Sequence, residues 1–307
     1  GICLAGIGLV LSGRVLRAVY LMALLAGVAM AIWVLIDRLT PRPFPVFPVT
    51  GIFTSENHYA AFANLMLPVA LGLGWHASQS ARTQGRVASA APIFLLGALI
   101  IAASVMISGS RAGLAITCLI FVAFGWLVIR QSIWWTVVSE RVSMRYIRMA
   151  SAAALLAMLG VAAFFTTRIG GELSFRGTII QDSLTMWRDR PWWGVGPGAY
   201  SQVMPYYQSE TLGDRVVLHA HNEYVQFLAE YGVLGSATLL GAFALVMIPS
   251  LRRATWTPEF SVAAVALGGC SLHALVDFTF RNDVIALIAF TCVGIIAGQA
   301  ARGALAA

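Results

Sequence analysis

Apolar stretches recur along the chain between short polar interruptions, near residues 1–12, 18–36, 59–75, 92–108, 112–129, 149–166, 222–249, 260–279 and 284–301. Most run about 17–20 residues, the length a helix needs to cross a hydrocarbon core of roughly 30 Å. The pattern predicts an all-α transmembrane bundle of nine segments in one domain, 1–307. The first segment is incomplete and opens on Gly1 with neither Met nor a basic leader, so a chain shortened at its N-terminus is expected.

The polar connections divide into two kinds. Those at 12–17, 76–91, 130–148 and 250–258 carry ten arginines, with only Glu140 and, at the edge of the last, Glu259 as acids. Positively charged connections stay in the cytoplasm. The connections at 37–58, 109–111, 167–221 and 280–283 are then external. The longest, 167–221, is expected to form a cap with short amphipathic helices, since its tryptophans and tyrosines supply surface that can pack.

Composition agrees with a lipid environment. Of 307 residues, 59% are hydrophobic and 11% charged, against roughly 25% charged in soluble domains, and the mean hydropathy is +0.81. The net charge of +7 is carried by arginine alone, with no lysine. These arginines are scattered among apolar spans and form no basic stripe, which argues against nucleic acid as a partner. Cys3, Cys118, Cys270 and Cys292 lie in apolar spans without CxxC spacing, as buried thiols do, and predict neither a disulfide framework nor a zinc site.

Few residues on the external side can carry chemistry. Arg111 sits in Ser108-Gly109-Ser110-Arg111-Ala112-Gly113, a tight hinge between two spans. It is either an interfacial arginine on lipid phosphate or a bidentate clamp for an anion. Arg176 opens a stretch in which Phe175, Ile179, Asp182 or Ser183 and Met186 recur at helical spacing. It reads as a surface charge, solvated or paired with Asp182, or as a second anion ligand. Arg168, Arg188, Arg190 and Arg215 read as surface charges. Gly194-Val195-Gly196-Pro197-Gly198 lacks the Lys and Ser/Thr of a phosphate loop and reads as a structured turn after Trp192 and Trp193.

His219 and His221 precede Asn222-Glu223-Tyr224 at the start of a long apolar helix, where a neutral imidazole is suited to act as a base. In an extended lead-in the two rings point to opposite sides, so one of them is expected at a common site. Zinc binding is the alternative, weakened by the scarcity of further ligands. His273, Asp277 and Arg281 fall at i, i+4 and i+8 of the eighth span and read as a structural ladder. Glu230 reads as a buried partner for an arginine.

Taken in order, these elements resemble the O-antigen ligase and O-antigen polymerase superfamily of bacterial membrane glycosyltransferases. His221-Asn222, nine residues and Gly232-Val233-Leu234-Gly235 resemble the ligase signature; Ser108 to Gly113 resembles its SxSRxG hinge. Arg176 through Trp187 to Pro191-Trp192-Trp193-Gly194-Val195-Gly196 is similar to its R…W…P…GxG loop, and Gly51 to Ala60 to its weaker G-F…N…A element. The resemblance spans about 51–245. Family ligases commonly have about twelve spans, in keeping with missing N-terminal helices here.

The resemblance implies transfer of a glycan from a polyprenyl-diphosphate carrier to a hydroxyl of lipid A-core or another surface glycan. The reaction is expected at the periplasmic face of the inner membrane, without nucleotide sugar, metal or other cofactor. By matching position, His221 is the expected base or acceptor-orienting group and Arg111 and Arg176 the diphosphate ligands, with His219, Asn222, Glu230, His273, Asp277 and Arg281 as supporting residues. Three other readings remain open within the enzyme class and outside it: a repeat-unit polymerase, a protein O-oligosaccharyltransferase, and a polysaccharide transporter or flippase. A transporter is expected to carry repeats and broken helices meeting at the bilayer midplane.

Overall fold

The computed structural model of the chain describes residues 13–40, 51–86, 89–130, 170–213, 215–253 and 256–306. The predicted spans at 1–12 and 149–166 lie outside them. Regular structure among the described residues is helical: α1 (Gly13–Leu39), α2 (Glu56–Thr83), α3 (Ala91–Ser108), α4 (Arg111–Arg130), α5 (Gly170–Asp189), α6 (Tyr200–Val203), α7 (Glu223–Arg253), α8 (Pro258–His273) and α9 (Asp283–Ala306). Six of these helices, α1 to α4, α7 and α9, are long and apolar enough to cross a membrane.

The bundle is organised around α2. In its most apolar window 89% of residues are buried, whereas α7 buries 11% of its own and turns the rest outward. Small residues let neighbours approach: a Cβ on Gly113 of α4 would run into Ala60, and one on Gly72 into Val262 of α8. Polar ties hold the contacts in place. Asn64 of α2 donates to the Gly113 carbonyl at 2.9 Å and accepts from Thr117 at 2.7 Å. Tyr59 donates to Ser104 of α3. In a medium without water such bonds have no competitor, which makes them effective register marks.

The ends of the helices sort into two faces. At one, Arg17 of α1, His76 of α2 and Glu259 of α8 lie within 3.3–3.8 Å of one another. At the other, Arg38 at the end of α1 reaches Glu56 at 3.5 Å and the Ser108 carbonyl at 3.1 Å. The second face also holds the 109–111 hinge, the start of α7 and the end of α8. This is the alternation the arginine pattern predicts.

Two expectations change. The eighth span is not one helix over 260–279. Thr257 caps it, Pro258 starts it, and it ends at His273, so it is about 24 Å long at 1.5 Å per residue. A turn and a 3₁₀ turn at Thr279–Arg281 follow. The seventh span is broken: Gly232 has φ 62° and ψ −172°, far from helical. A continuous helix would bond Val233 N–H to Ala229 and Leu234 N–H to Glu230. Instead, Val233 and Leu234 donate to the carbonyls of Pro191 and Trp192 at 2.8 and 3.2 Å. Val195 and Gly196 donate to the carbonyls of Ala229 and Glu230 at 2.9 and 3.0 Å.

The Pro191–Gly196 segment thus takes up the four backbone groups of those two helical bonds. The fit tolerates no side chain at either glycine. A Cβ on Gly232 would collide with Trp192 backbone, and one on Gly194 with Glu230 backbone.

The cap carries a small core of its own. Ile179 and Met186 of α5, Tyr200 of α6, Met204, Leu212 and Val217 pack with Ala229 of α7, as the helical spacing of α5 predicts. Asp182 accepts from the N–H and hydroxyl of Ser209 at 3.0 and 2.9 Å, so it does not pair with Arg176.

Gly232→Ala is therefore expected to lower stability by at least about 2–3 kcal/mol, since a side chain there is both strained and in collision. Gly241→Ala on the same helix, where a Cβ meets nothing within 4 Å, should stay within about 1 kcal/mol of the parent. Thermal unfolding of the detergent-purified protein distinguishes the two.

Candidate functional site

The face that holds the hinge also holds a cluster of rings centred on Phe278, in the turn after α8. Three imidazoles surround its ring. His219 stacks on it with centroids 4.1 Å apart, His221 meets it at 5.2 Å, and His58, in the first turn of α2, approaches edge-on at 4.8 Å. The extended lead-in expected before α7 would have separated His219 from His221. His221 instead has φ 50°, the only positive φ of a non-glycine among the described residues, and this turns its ring back onto Phe278. A left-handed non-glycine persists only where its surroundings fix it, and such residues cluster at working sites.

Asn222 supplies part of that fixation. Its side chain caps α7 by accepting from Val225 N–H at 3.0 Å, and donates to the Leu275 carbonyl at 2.9 Å. Glu223 N–H donates to the Ala274 carbonyl at 2.9 Å. The His-Asn pair therefore sits where the lead-in, the start of α7 and the end of α8 are tied together.

Behind His221 lies Asp277, almost wholly buried. His221 Nδ1 is 3.4 Å from Asp277 Oδ1, a distance at which a small ring rotation lets Nδ1–H donate. Burial would raise the Asp277 carboxyl, but His221, the Phe278 backbone N–H and neighbouring His58 outweigh it and hold the group below its ordinary value. Asp277 thus stays ionised. An ionised partner on Nδ1 leaves Nε2 of His221 as the proton acceptor. His219 is held below its ordinary value, first by burial and then by Arg281, and stays neutral.

The helical ladder of His273, Asp277 and Arg281 does not form, because the helix stops at His273. Asp277 faces His221, while Arg281 turns to α7, bonding Glu223 at 3.1 Å and Glu230 at 2.8 Å. His273 is fully buried, and neither of its ring nitrogens has a hydrogen-bond partner among the described residues. Glu230 is the arginine partner expected of it, and it does more. It accepts from Gln226 at 3.1 Å and from Gly198 N–H at 3.2 Å. Gln226 in turn accepts from Ala220 N–H at 3.1 Å and lies 3.4 Å from His219. Glu223, Gln226 and Glu230, on one face of α7, therefore hold the histidine lead-in, the glycine loop and Arg281 together.

The two arginines stand on separate elements of this face. Arg176, on α5, donates to the Val276 carbonyl at 2.8 Å, beside Asp277 in sequence. Arg111 is exposed at the first position of α4, directly after Gly109 at φ 93° and Ser110. Ser110 donates to Asn57 at 2.7 Å, and Asn57 precedes His58. Among the described residues no three His, Cys, Asp or Glu are grouped to hold a metal ion, so the zinc alternative finds no ligand set there.

His58, Phe278, Glu223, Gln226 and Asn57 were not singled out by their sequence pattern. His58 and Asn57 lie inside the Gly51–Ala60 element, and a histidine in the first turn of a nearly all-apolar span was the available signal. Nothing local marks Phe278 or Gln226.

In comparison with known families, the O-antigen ligase model matches residues 96–240. This stretch contains the hinge, the Arg176–Gly196 loop and the His221–Gly235 segment. No curated protein sequence matches the chain.

Arg281 neutralises two buried carboxylates, so Arg281→Ala is expected to cost about 3–5 kcal/mol by leaving them unpaired. Adding Glu223→Gln and Glu230→Gln should return part of that loss. Thermal unfolding of the three proteins checks both signs.

Proposed function

From the O-antigen ligase domain that the chain carries over residues 96–240, we propose that it transfers a glycan from a polyprenyl-diphosphate carrier to an acceptor hydroxyl at the periplasmic face of the inner membrane. The coarser assignment, an O-antigen ligase or polymerase type of membrane glycosyltransferase, rests on the family match. The finer one rests on the site. Its main support is the His221–Asp277 pair, 3.4 Å apart, on the same face as Arg111 and Arg176.

In this reading, Asp277 orients His221 and stabilises the imidazolium formed when Nε2 takes the proton of the acceptor hydroxyl. The acceptor oxygen forms its bond to the anomeric carbon as the bond to the carrier's phosphate oxygen breaks. The electron pair of that bond leaves with the diphosphate. Arg111 and Arg176 bind the diphosphate, and fixed guanidinium groups stabilise the charge that develops on it. Attack opposite the leaving group inverts the anomeric centre. Lipid A-core or another surface glycan is the preferred acceptor because the His-Asn-x9-GxxG match resembles the ligases. A growing repeat-unit chain or a protein hydroxyl would use the same machinery as polymerase or oligosaccharyltransferase.

The break in α7 is the one feature that a transporter also shows. Here backbone groups released at the break are taken up by the Pro191–Gly196 segment of the cap, and the polar groups of the site gather at one face. Both observations favour the enzyme.

Reconstitution with a lipid-diphosphate glycan and an added lipid A-core acceptor tests the reading. Transfer is expected in the parent protein. His221→Ala and Asp277→Asn should lower kcat by about 10²–10⁴-fold, and Arg111→Ala and Arg176→Ala by about 10²–10³-fold. Parent-like transfer in all four well-folded variants, or carrier movement across the bilayer without bond cleavage, would sink it.

A further inference from the structure

The two parts of the proposed site meet through one short piece of α2. Its first turn is Glu56-Asn57-His58, following the cap Ser55, whose side chain accepts from Asn57 N–H at 3.2 Å. Three consecutive side chains face three different partners. Glu56 receives Arg38 of α1, and its carboxylate would lie 3.0 Å from a Cβ on Gly109. Asn57 accepts from the Ser110 hydroxyl at 2.7 Å, and that same oxygen accepts from Gly113 N–H at 3.1 Å. Asn57 therefore holds the hinge through Ser110, whose hydroxyl oxygen also caps the first turn of α4 at Gly113, with Arg111 and Ala112 between them. His58 meets the Phe278 ring edge-on at 4.8 Å, the same ring that His219 and His221 contact, and interacts electrostatically with Asp277 and His221.

His58 is 7% exposed, and its Nε2 has no hydrogen-bond partner among the described residues. Burying an imidazole beside a ring already contacted by two others is costly if it serves only packing, because a buried polar atom without a partner loses its hydration. The turn is also anchored from below. Tyr59, Ala60 and Asn64 lock α2 against α3 and α4, so it cannot move without moving the bundle.

We propose that Asn57 and His58 are positioning residues: the first turn of α2 sets the separation between the Arg111 hinge and the His221 ring cluster, so that donor diphosphate and acceptor hydroxyl meet in register. The proposal rests on the glycosyl-transfer reading for its consequence, but the coupling it asserts is physical and is measurable without transfer. Misplacement by about 1 Å is enough to cost a reaction up to about a hundredfold.

The chain has five histidines, so ring signals of isotopically labelled histidine in the full detergent-purified protein can be assigned by single substitutions. Asn57→Ala is expected to shift the His58 and His221 signals while leaving His76, at the opposite face, in place. Ser110→Ala, a milder change made across the contact, should shift the same two signals. The double variant should add nothing to Asn57→Ala alone.

In the transfer assay, Asn57→Ala should lower kcat about tenfold or more with donor KM within about threefold. Asn57→Asp, which keeps an acceptor for Ser110, should recover most of the rate. A His221 signal indifferent to both Asn57→Ala and Ser110→Ala would overturn the proposal, as would a parent kcat in Asn57→Ala. A parent protein that transfers no glycan would instead count against the proposed function, and the histidine signals would still decide the coupling.

Discussion

Lipid cannot satisfy an exposed peptide group, so a transmembrane helix that breaks must find other partners for its backbone. In this chain the break at Gly232 finds them in Pro191–Gly196, and four hydrogen bonds between the two segments join the cap to the bundle. The site depends on this joint. It brings Gly198 to Glu230, Glu230 brings Arg281, and Arg281 fixes the turn that presents Asp277 and Phe278 to His221. A straight α7 would leave the Pro191–Gly196 loop without its dock.

Around that joint the molecule separates support from chemistry. Glu223, Gln226 and Glu230 are buried, satisfied by protein groups and directed toward Arg281 and the lead-in. His221 is partly accessible, left-handed and backed by an ionised carboxylate. The arginines stand on α4 and α5, elements with separate anchors. In the proposed reaction, charge stabilisation and proton transfer would fall to different helices, with α2 between them.

Much of this is legible in the sequence, because hydrophobic runs, arginine placement and turn glycines report local physics. The alternation of faces, the hinge at Gly109, the amphipathic α5 and the burial of Glu230 all follow from such signals. Other features depend on contacts distant along the chain. The GxxG after His221 is visible as a motif, but its first glycine is required by a loop some forty residues upstream, and no local pattern shows that the helix breaks there. His273, Asp277 and Arg281 share a helical spacing, yet the helix ends at His273, Asp277 turns to His221 in the lead-in and Arg281 to Glu223 and Glu230 of α7. His219 and His221 meet at the same ring only because one backbone angle reverses, next to an Asn222 and Glu223 that are tied to the end of α8.

The central claim is that Arg111, Arg176 and His221 surround one reacting centre. It is tested most directly by a structure of the full chain in a lipid nanodisc with a polyprenyl diphosphate bound. The diphosphate should lie in contact with Arg111 and Arg176, with His221 Nε2 on the side of the terminal phosphate, where the donor's glycan is attached. A diphosphate held at the opposite face, near Arg82 and the cavity of about 660 Å³ between α2, α3 and α4, would contradict it.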